Sequence, residues 1–222
     1  MSSLRSAHKG YQYQDLATAI SLVHMLVTDA GSVTVDRKDG VNDKFDDITE
    51  RTPGVRVSRQ LKWTDNEARR LCLADFTGTS SSVRIDLLVA SHRELHREPQ
   101  TEVRLSVRWD HPNEQDLLPL LEEVPAIPPT FDGFSTKRFR LRAERIWPAG
   151  SEALWSPLAV VNREDFLTFC GEFIVESGLP QCSRDLSSPG PLESHLFDLL
   201  ANKVGIGQFP NQSRSVEDVA AR

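Results

Sequence analysis

The stretch Phe45-Asp46-Asp47-Ile48-Thr49-Glu50-Arg51-Thr52-Pro53-Gly54-Val55-Arg56-Val57-Ser58-Arg59-Gln60-Leu61-Lys62-Trp63 decides how this chain folds. Pro53-Gly54 is a tight-turn dipeptide, and short strands are expected on both sides of it, near residues 45–50 and 56–63. A strand sends successive side chains to opposite faces. Gln60 and Lys62 therefore share one face, while Val57, Arg59, Leu61 and Trp63 take the other. If the two strands pair, the carboxylate of Asp47 stands beside Gln60 and Lys62. A carboxylate, an amide and a lysine gathered in this way suit work on a phosphodiester.

Working outward toward the N-terminus, Leu16, Ile20, Val23 and Val27 recur at helical spacing and predict an amphipathic helix over residues 11–28. Gln14, Thr18 and Ser21 fall on its polar face. Gly31-Ser32 ends it, and residues 32–37 read as a strand in which Val33 and Val35 alternate with Thr34 and Asp36. A helix followed by three strands is thus expected before residue 64.

Toward the C-terminus the pattern predicts helices over residues 67–75 and 83–96, a strand over 102–109 and a short leucine-rich helix over 116–123. Val124-Pro125-Ala126-Ile127-Pro128-Pro129 cannot continue that helix, because proline removes a backbone donor and clashes with the preceding turn. This segment is read as the division between a core, residues 1–124, and a C-terminal elaboration of the same domain, residues 125–222. The elaboration is expected to hold a basic strand at 137–145, a helix at 163–170, a strand at 172–176 and a helix at 191–204. The last is punctuated by Pro191 and Gly205. The expected class is α/β, a mixed central sheet flanked by helices. The final residues, 215–222, read as the first turns of an unfinished helix, so a longer protein is expected.

The chain has 222 residues, enough to bury a sizeable core, and its formal net charge of −6 argues against bulk electrostatic coating by nucleic acid. A local basic stripe does exist. Lys137-Arg138-Phe139-Arg140-Leu141-Arg142-Ala143-Glu144-Arg145, read as a strand, sets Arg138, Arg140 and Arg142 on one face. That face is either a solvated outer surface or a phosphate-contacting one. No apolar run approaches the roughly 18–20 residues of a spanning helix, and the first ten residues lack a signal-peptide core. Cys72, Cys170 and Cys182 are too few and too scattered for a disulfide framework or a metal site, so a reducing cytoplasm is expected. His92 and His96 are four apart but have no third ligand at suitable spacing, and read as exposed polar residues. Gly205-Ile206-Gly207 lacks the third glycine of a dinucleotide fingerprint, and no phosphate-loop motif occurs.

The acid at position 47 followed by Gln60-Leu61-Lys62 resembles the PD-(D/E)xK nuclease superfamily in its D…QxK variant. With Gly10-Tyr11-Gln12-Tyr13-Gln14 opening a helix, Asp36 and Asp46-Asp47-Ile48, the chain is similar to one branch of it. That branch is the DNA-cleaving effector domain of bacterial anti-phage systems, found in cyclic-oligonucleotide-activated (CBASS) effectors and at the N-terminus of antiviral STAND ATPases. The resemblance is specific over residues 10–63 and diffuse afterwards. It implies a restriction-endonuclease-like fold and Mg2+-dependent cleavage of double-stranded DNA, with Mn2+ as an alternative ion. It also implies activation by homo-oligomerisation, through a C-terminal sensor or STAND ATPase region, and no membrane.

On this resemblance Asp47, Gln60 and the main-chain carbonyl of Leu61 would hold the metal, and Lys62 would orient or help deprotonate the attacking water. Gln60 stands where the superfamily has a second acid, which leaves the site one formal charge short. Asp36 and Asp46 either support the site from behind or serve as turn residues, and Gln14 enters by the resemblance alone. Two alternatives stay open. The same fold could be a non-catalytic nucleic-acid-binding or assembly module, with Asp47 and Lys62 as a structural ion pair. RNA could also be the substrate, since the metal chemistry is indifferent to the sugar.

Overall fold

The computed structural model describes residues 4–28, 31–64, 66, 68–96, 98–109, 111–125, 136–183 and 188–203. Helix α1 (Leu4–Thr28) leads into strand β1 (Ser32–Val35), and strands β2 (Ile48–Thr52) and β3 (Val55–Lys62) follow. All three pair antiparallel in sequence order. Thr52 sits opposite Val55, so Pro53-Gly54 makes the whole turn, and Gly54 takes a φ of 77° that a Cβ would disfavour. The helix begins seven residues before its expected start. Strand β2 begins three residues late, which leaves Asp46 and Asp47 just ahead of it.

Helices α2 (Leu73–Thr77) and α3 (Ile85–Glu94) then carry the chain over one face to strand β4 (Gln100–Val107), parallel to β3 along its whole length. Strands β5 (Leu121–Glu123) and β6 (Lys137–Leu141), helices α4 (Ala143–Ile146) and α5 (Arg163–Glu172), strand β7 (Phe173–Ser177) and helix α6 (Pro191–Lys203) complete the described chain. The result is one mixed seven-stranded sheet flanked by helices, in the order β1-β2-β3-β4-β7-β6-β5. Its parallel centre is β3, β4 and β7, with antiparallel strands on both sides. Strand β7 lies between β4 and β6, so the sheet runs unbroken across the expected division at 124/125.

Two apolar cores lie on opposite faces. Leu61 pairs with Ser106, whereas Val103, Leu105 and Val107 point the other way. The first core joins those valines and that leucine to Phe76, Leu88, Phe166, Phe169 and Phe173 from the helices and strands around them. The second joins Leu61 and Ile48 to Tyr13, Leu16 and Ile20 of α1 and Leu192 and Leu196 of α6. Leu16, Ile20 and Val23 are buried as the helical periodicity requires, although Ser21, assigned to the polar face, is buried as well.

Three expectations change for local reasons. The segment before residue 73 is not helical where described. Asn113 donates its N–H to the Leu71 carbonyl, and Asp116 accepts the Leu73 N–H, so the loop after β4 takes up the backbone bonds a helix would need. Asp75 then caps α2 by accepting the Cys72 N–H at 2.9 Å. The leucine-rich run gives only a 3-10 turn at Leu118–Leu120 before becoming β5, because Leu121 and Glu123 find ladder partners in Leu141 and Phe139. The basic strand stops at Leu141, and Arg142–Arg145 turn into α4, with the Arg145 N–H on the Arg142 carbonyl at 2.9 Å. Residues 126–129, Val204, Gly205-Ile206-Gly207 and 215–222 lie outside the described residues. Among those described, no helix is long and apolar enough to cross a membrane.

Candidate active site

The register of β2 on β3 builds the site. Ile48 is opposite Arg59, so the next position outward sets Asp47 across from Gln60. There Asp47 Oδ2 accepts two hydrogen bonds, from Gln60 Nε2 and from the Leu61 N–H, both at 2.6 Å. Lys62, two residues further along the strand, is half-buried beside them. These residues form one wall of a cleft of about 250 Å³, and Gly10, Tyr11, Tyr13 and Gln14 of α1 form the other. The cleft lies at the end of β3. Leu61 and Trp63 therefore line it together with Gln60 and Lys62, although alternation alone assigns them to opposite faces.

The electrostatics are those of charges short of compensation. Burial pushes the Asp47 carboxyl above its ordinary value, despite the Leu61 and Gln60 hydrogen bonds and the attraction of Lys62. Burial likewise pulls the Lys62 ammonium down, against the pull of Asp47 and Asp46. A carboxylate raised in this way gains from any added positive charge. The oxygens of Asp47, of the Gln60 amide and of the Leu61 carbonyl are all hard donors, the kind Mg2+ prefers, and so fit such an ion. Gln60 now directs its amide nitrogen at Asp47, and a half-turn of the carboxamide would present the oxygen instead. Among the described residues no three His, Cys, Asp or Glu side chains gather to hold a metal, so Asp47 would be its main charged ligand.

Asp36 and Asp46 surround the site without lining the cleft. Asp36 accepts Gln14 Nε2 at 2.6 Å and gives its N–H to the Asp47 carbonyl at 3.3 Å, tying α1 to the strand that carries the site. It does so at a φ of 50°, the left-handed region that an aspartate tolerates better than most side chains. Asp46 pairs with Lys38 at 3.6 Å.

The basic stripe is corrected at Arg138. Arg138 is only 2% exposed and is bound to Glu102 at 2.5 Å, so it is neither solvated nor open to phosphate. Arg140 is half-buried, and Arg142 donates Nε to the Leu121 carbonyl at 2.8 Å. Pairing with β7 turns the Arg138 side of β6 inward, where Glu176 and Glu102 neutralise it. His92 is corrected too. It is buried, with Nε2 at 2.7 Å from Glu172 Oε2 and its ring edge-on to Phe169, and it does not pair with the exposed His96. All three cysteines are free thiols.

Lys9, which no expectation from the sequence placed, and Tyr13, quoted there only within the Gly10–Gln14 segment, also stand at the site. Lys9 Nζ stands 5.6 Å from the centroid of the Trp63 ring, and Tyr13 is buried beside the cleft with its hydroxyl pushed up by that burial. They lie four apart on α1, on one face. Starting the helix earlier would have exposed that relation. Comparison of the chain with family models, with curated proteins and with solved structures finds no match.

Proposed function

We propose that this chain is a metal-dependent endonuclease that cuts double-stranded DNA, on a restriction-endonuclease-like arrangement of its mixed sheet. One observation carries the reading. Asp47 just ahead of β2 and Gln60 and Lys62 of β3 converge with Gly10, Tyr11, Tyr13 and Gln14 of α1 on a single cleft, and these are the two segments on which the resemblance rests. Asp47, the Gln60 amide oxygen and the Leu61 carbonyl would hold Mg2+ or Mn2+. Bound there, the ion would act as a Lewis acid on a phosphate oxygen.

The chain's own residues do the rest. Lys62 orients an attacking water and balances the charge that develops on the phosphate. Tyr13 and Leu61 keep the floor of the cleft apolar, which strengthens each charge interaction made in it. The hydrogen bonds from Gln14 to Asp36 and from Asp36 to Asp47 fix the helix wall relative to the strand wall. The resemblance further suggests an effector role in anti-phage defence. There, a sensor or STAND ATPase region would cluster several copies on one duplex and raise their effective concentration.

The test is incubation of the purified chain with supercoiled plasmid and Mg2+, with and without chelator, beside a structured RNA. Nicking of plasmid that chelator abolishes, and that a fused tetramerisation tag accelerates, is the expected result. Absence of any metal-dependent cutting in both forms would favour the non-catalytic module.

A further inference from the structure

The cleft is lined by more than a metal site needs. Three of its nine lining residues, Tyr11, Tyr13 and Trp63, are aromatic, in a chain whose aromatic content is 7%. Its volume of about 250 Å³ approaches the roughly 300–1,000 Å³ of pockets that hold small organic groups. Tyr11 and Tyr13, two residues apart on α1, are used in different ways. Tyr13 is 1% exposed and belongs to the second core, whereas Tyr11 is 69% exposed and enters neither core. Among the described residues no other aromatic side chain is exposed.

Gly10 supplies a second observation. It stands inside α1, where glycine weakens a helix relative to alanine, and it lines the same cleft. A Cβ built on it would meet nothing within 4 Å beyond its chain neighbours and its own helix. Packing among the described residues therefore does not require a glycine here, and the bare backbone keeps the helix wall open beside the Tyr11 ring. An exposed ring next to kept space suits a flat organic group. Where Asp47 and Lys62 handle a phosphate, the flat group attached to it is a nucleobase. Aromatic side chains stack on the face of any base, and they reach that face only when the base has left the duplex stack.

We propose that Tyr11 receives the nucleobase next to the phosphate cut at Lys62, turned out of its duplex, and that Gly10 leaves the room for it. The inference rests on the nuclease reading of the cleft and narrows its substrate. Turning a base out costs less where pairing is already broken, so DNA with a mismatched pair at the cut position is preferred to a perfect duplex. No base sequence is selected, because every base offers a face to the ring.

The experiment compares three short labelled duplexes that differ only at the central pair: matched, mismatched, and lacking both bases. Affinity for the full chain is read by fluorescence anisotropy in EDTA, and cut positions are mapped on a denaturing gel with Mg2+. Wild type should bind the mismatched duplex about 5-fold or more tighter than the baseless one, the effect of stacking one base, and should cut beside the mismatch. Tyr11→Phe, which keeps the ring, should preserve both results. Tyr11→Ser should bind the mismatched and baseless duplexes equally, and the exposure of Tyr11 leaves the core untouched by either change. Gly10→Leu should raise the urea midpoint, since leucine favours a helix over glycine, and yet lose the same preference. A preference that survives in Tyr11→Ser, or a wild type that cuts plasmid but does not distinguish the three duplexes, overturns the base seat and leaves the nuclease reading standing. A wild type that cuts no DNA with Mg2+ overturns both.

Discussion

Arg59 and Gln60 are adjacent residues on β3, yet they belong to two regions built on opposite electrostatic principles. Arg59 enters a buried network with Arg104, Arg138, Glu50, Glu102 and Glu176, three cations against three anions. Glu176 is its hub. Arg59 binds it at 2.5 Å, the Ser106 hydroxyl at 2.6 Å and Arg104 at 3.0 Å. Burial would raise this carboxyl, but the arginines and the hydroxyl together hold it at about 2. Gln60 instead enters the cleft, where burial prevails and lifts the Asp47 carboxyl while lowering Lys62. Compensated charge makes structure, and charge left wanting makes a place for a ligand.

The largest effects should separate the two regions. Asp47→Ala removes the acceptor of the Gln60 and Leu61 donors and, on the nuclease reading, the proposed charged metal ligand, so plasmid cutting should fall by about 10²–10⁴-fold. Near-normal cutting by this variant would break the comparison at the cleft. Glu176→Gln should leave arginine charge buried and uncompensated, at a cost of about 3–5 kcal/mol in urea unfolding. A loss under about 1 kcal/mol would show that the network is incidental to stability.

The pH dependence of unfolding sharpens the same contrast. The folded Glu176 carboxyl lies at about 2 against an ordinary value of 4.5. Because its value is depressed on folding, its contribution is complete above about pH 4.5 and is lost as the pH falls toward 2. That difference corresponds to about 3 kcal/mol. Glu176→Gln should flatten the stability profile across this window, and an unaltered profile would assign the acid sensitivity elsewhere. The smallest effect is expected from Arg142→Gln, which removes one hydrogen bond to the Leu121 carbonyl. It should cost about 1 kcal/mol in unfolding and leave cutting unchanged. A loss of DNA binding would restore Arg142 to the phosphate-contacting stripe.

Much of this was legible in the residues. The Pro53-Gly54 turn, the strands beside it and the meeting of Asp47 with Gln60 follow from local chemistry and a two-residue period, because the two strands are joined directly and their register is set by the turn. The helix expected at 163–170 and the strand expected at 172–176 were legible as well, and stand as α5 and β7. Arg138 was not. A strand that alternates phenylalanine with arginine looks half-solvated, and only the pairing of β6 with β7, across more than thirty residues of chain, reveals that its charged side faces glutamates. Lys9 escaped for a related reason. Its place over the Trp63 ring comes through tertiary packing of α1 on the sheet rather than through any spacing in the chain.

The most direct test of the division between cleft and network is the Mg2+-dependent cutting rate of Lys62→Ala, measured beside its urea unfolding curve. Lys62 lines the cleft and takes no part in the arginine–glutamate network. The expected result is cutting reduced by about 10²-fold or more, with unfolding free energy within about 0.5 kcal/mol of wild type. A Lys62→Ala protein that cuts plasmid at the wild-type rate, or that fails to cut only because it fails to fold, would contradict it.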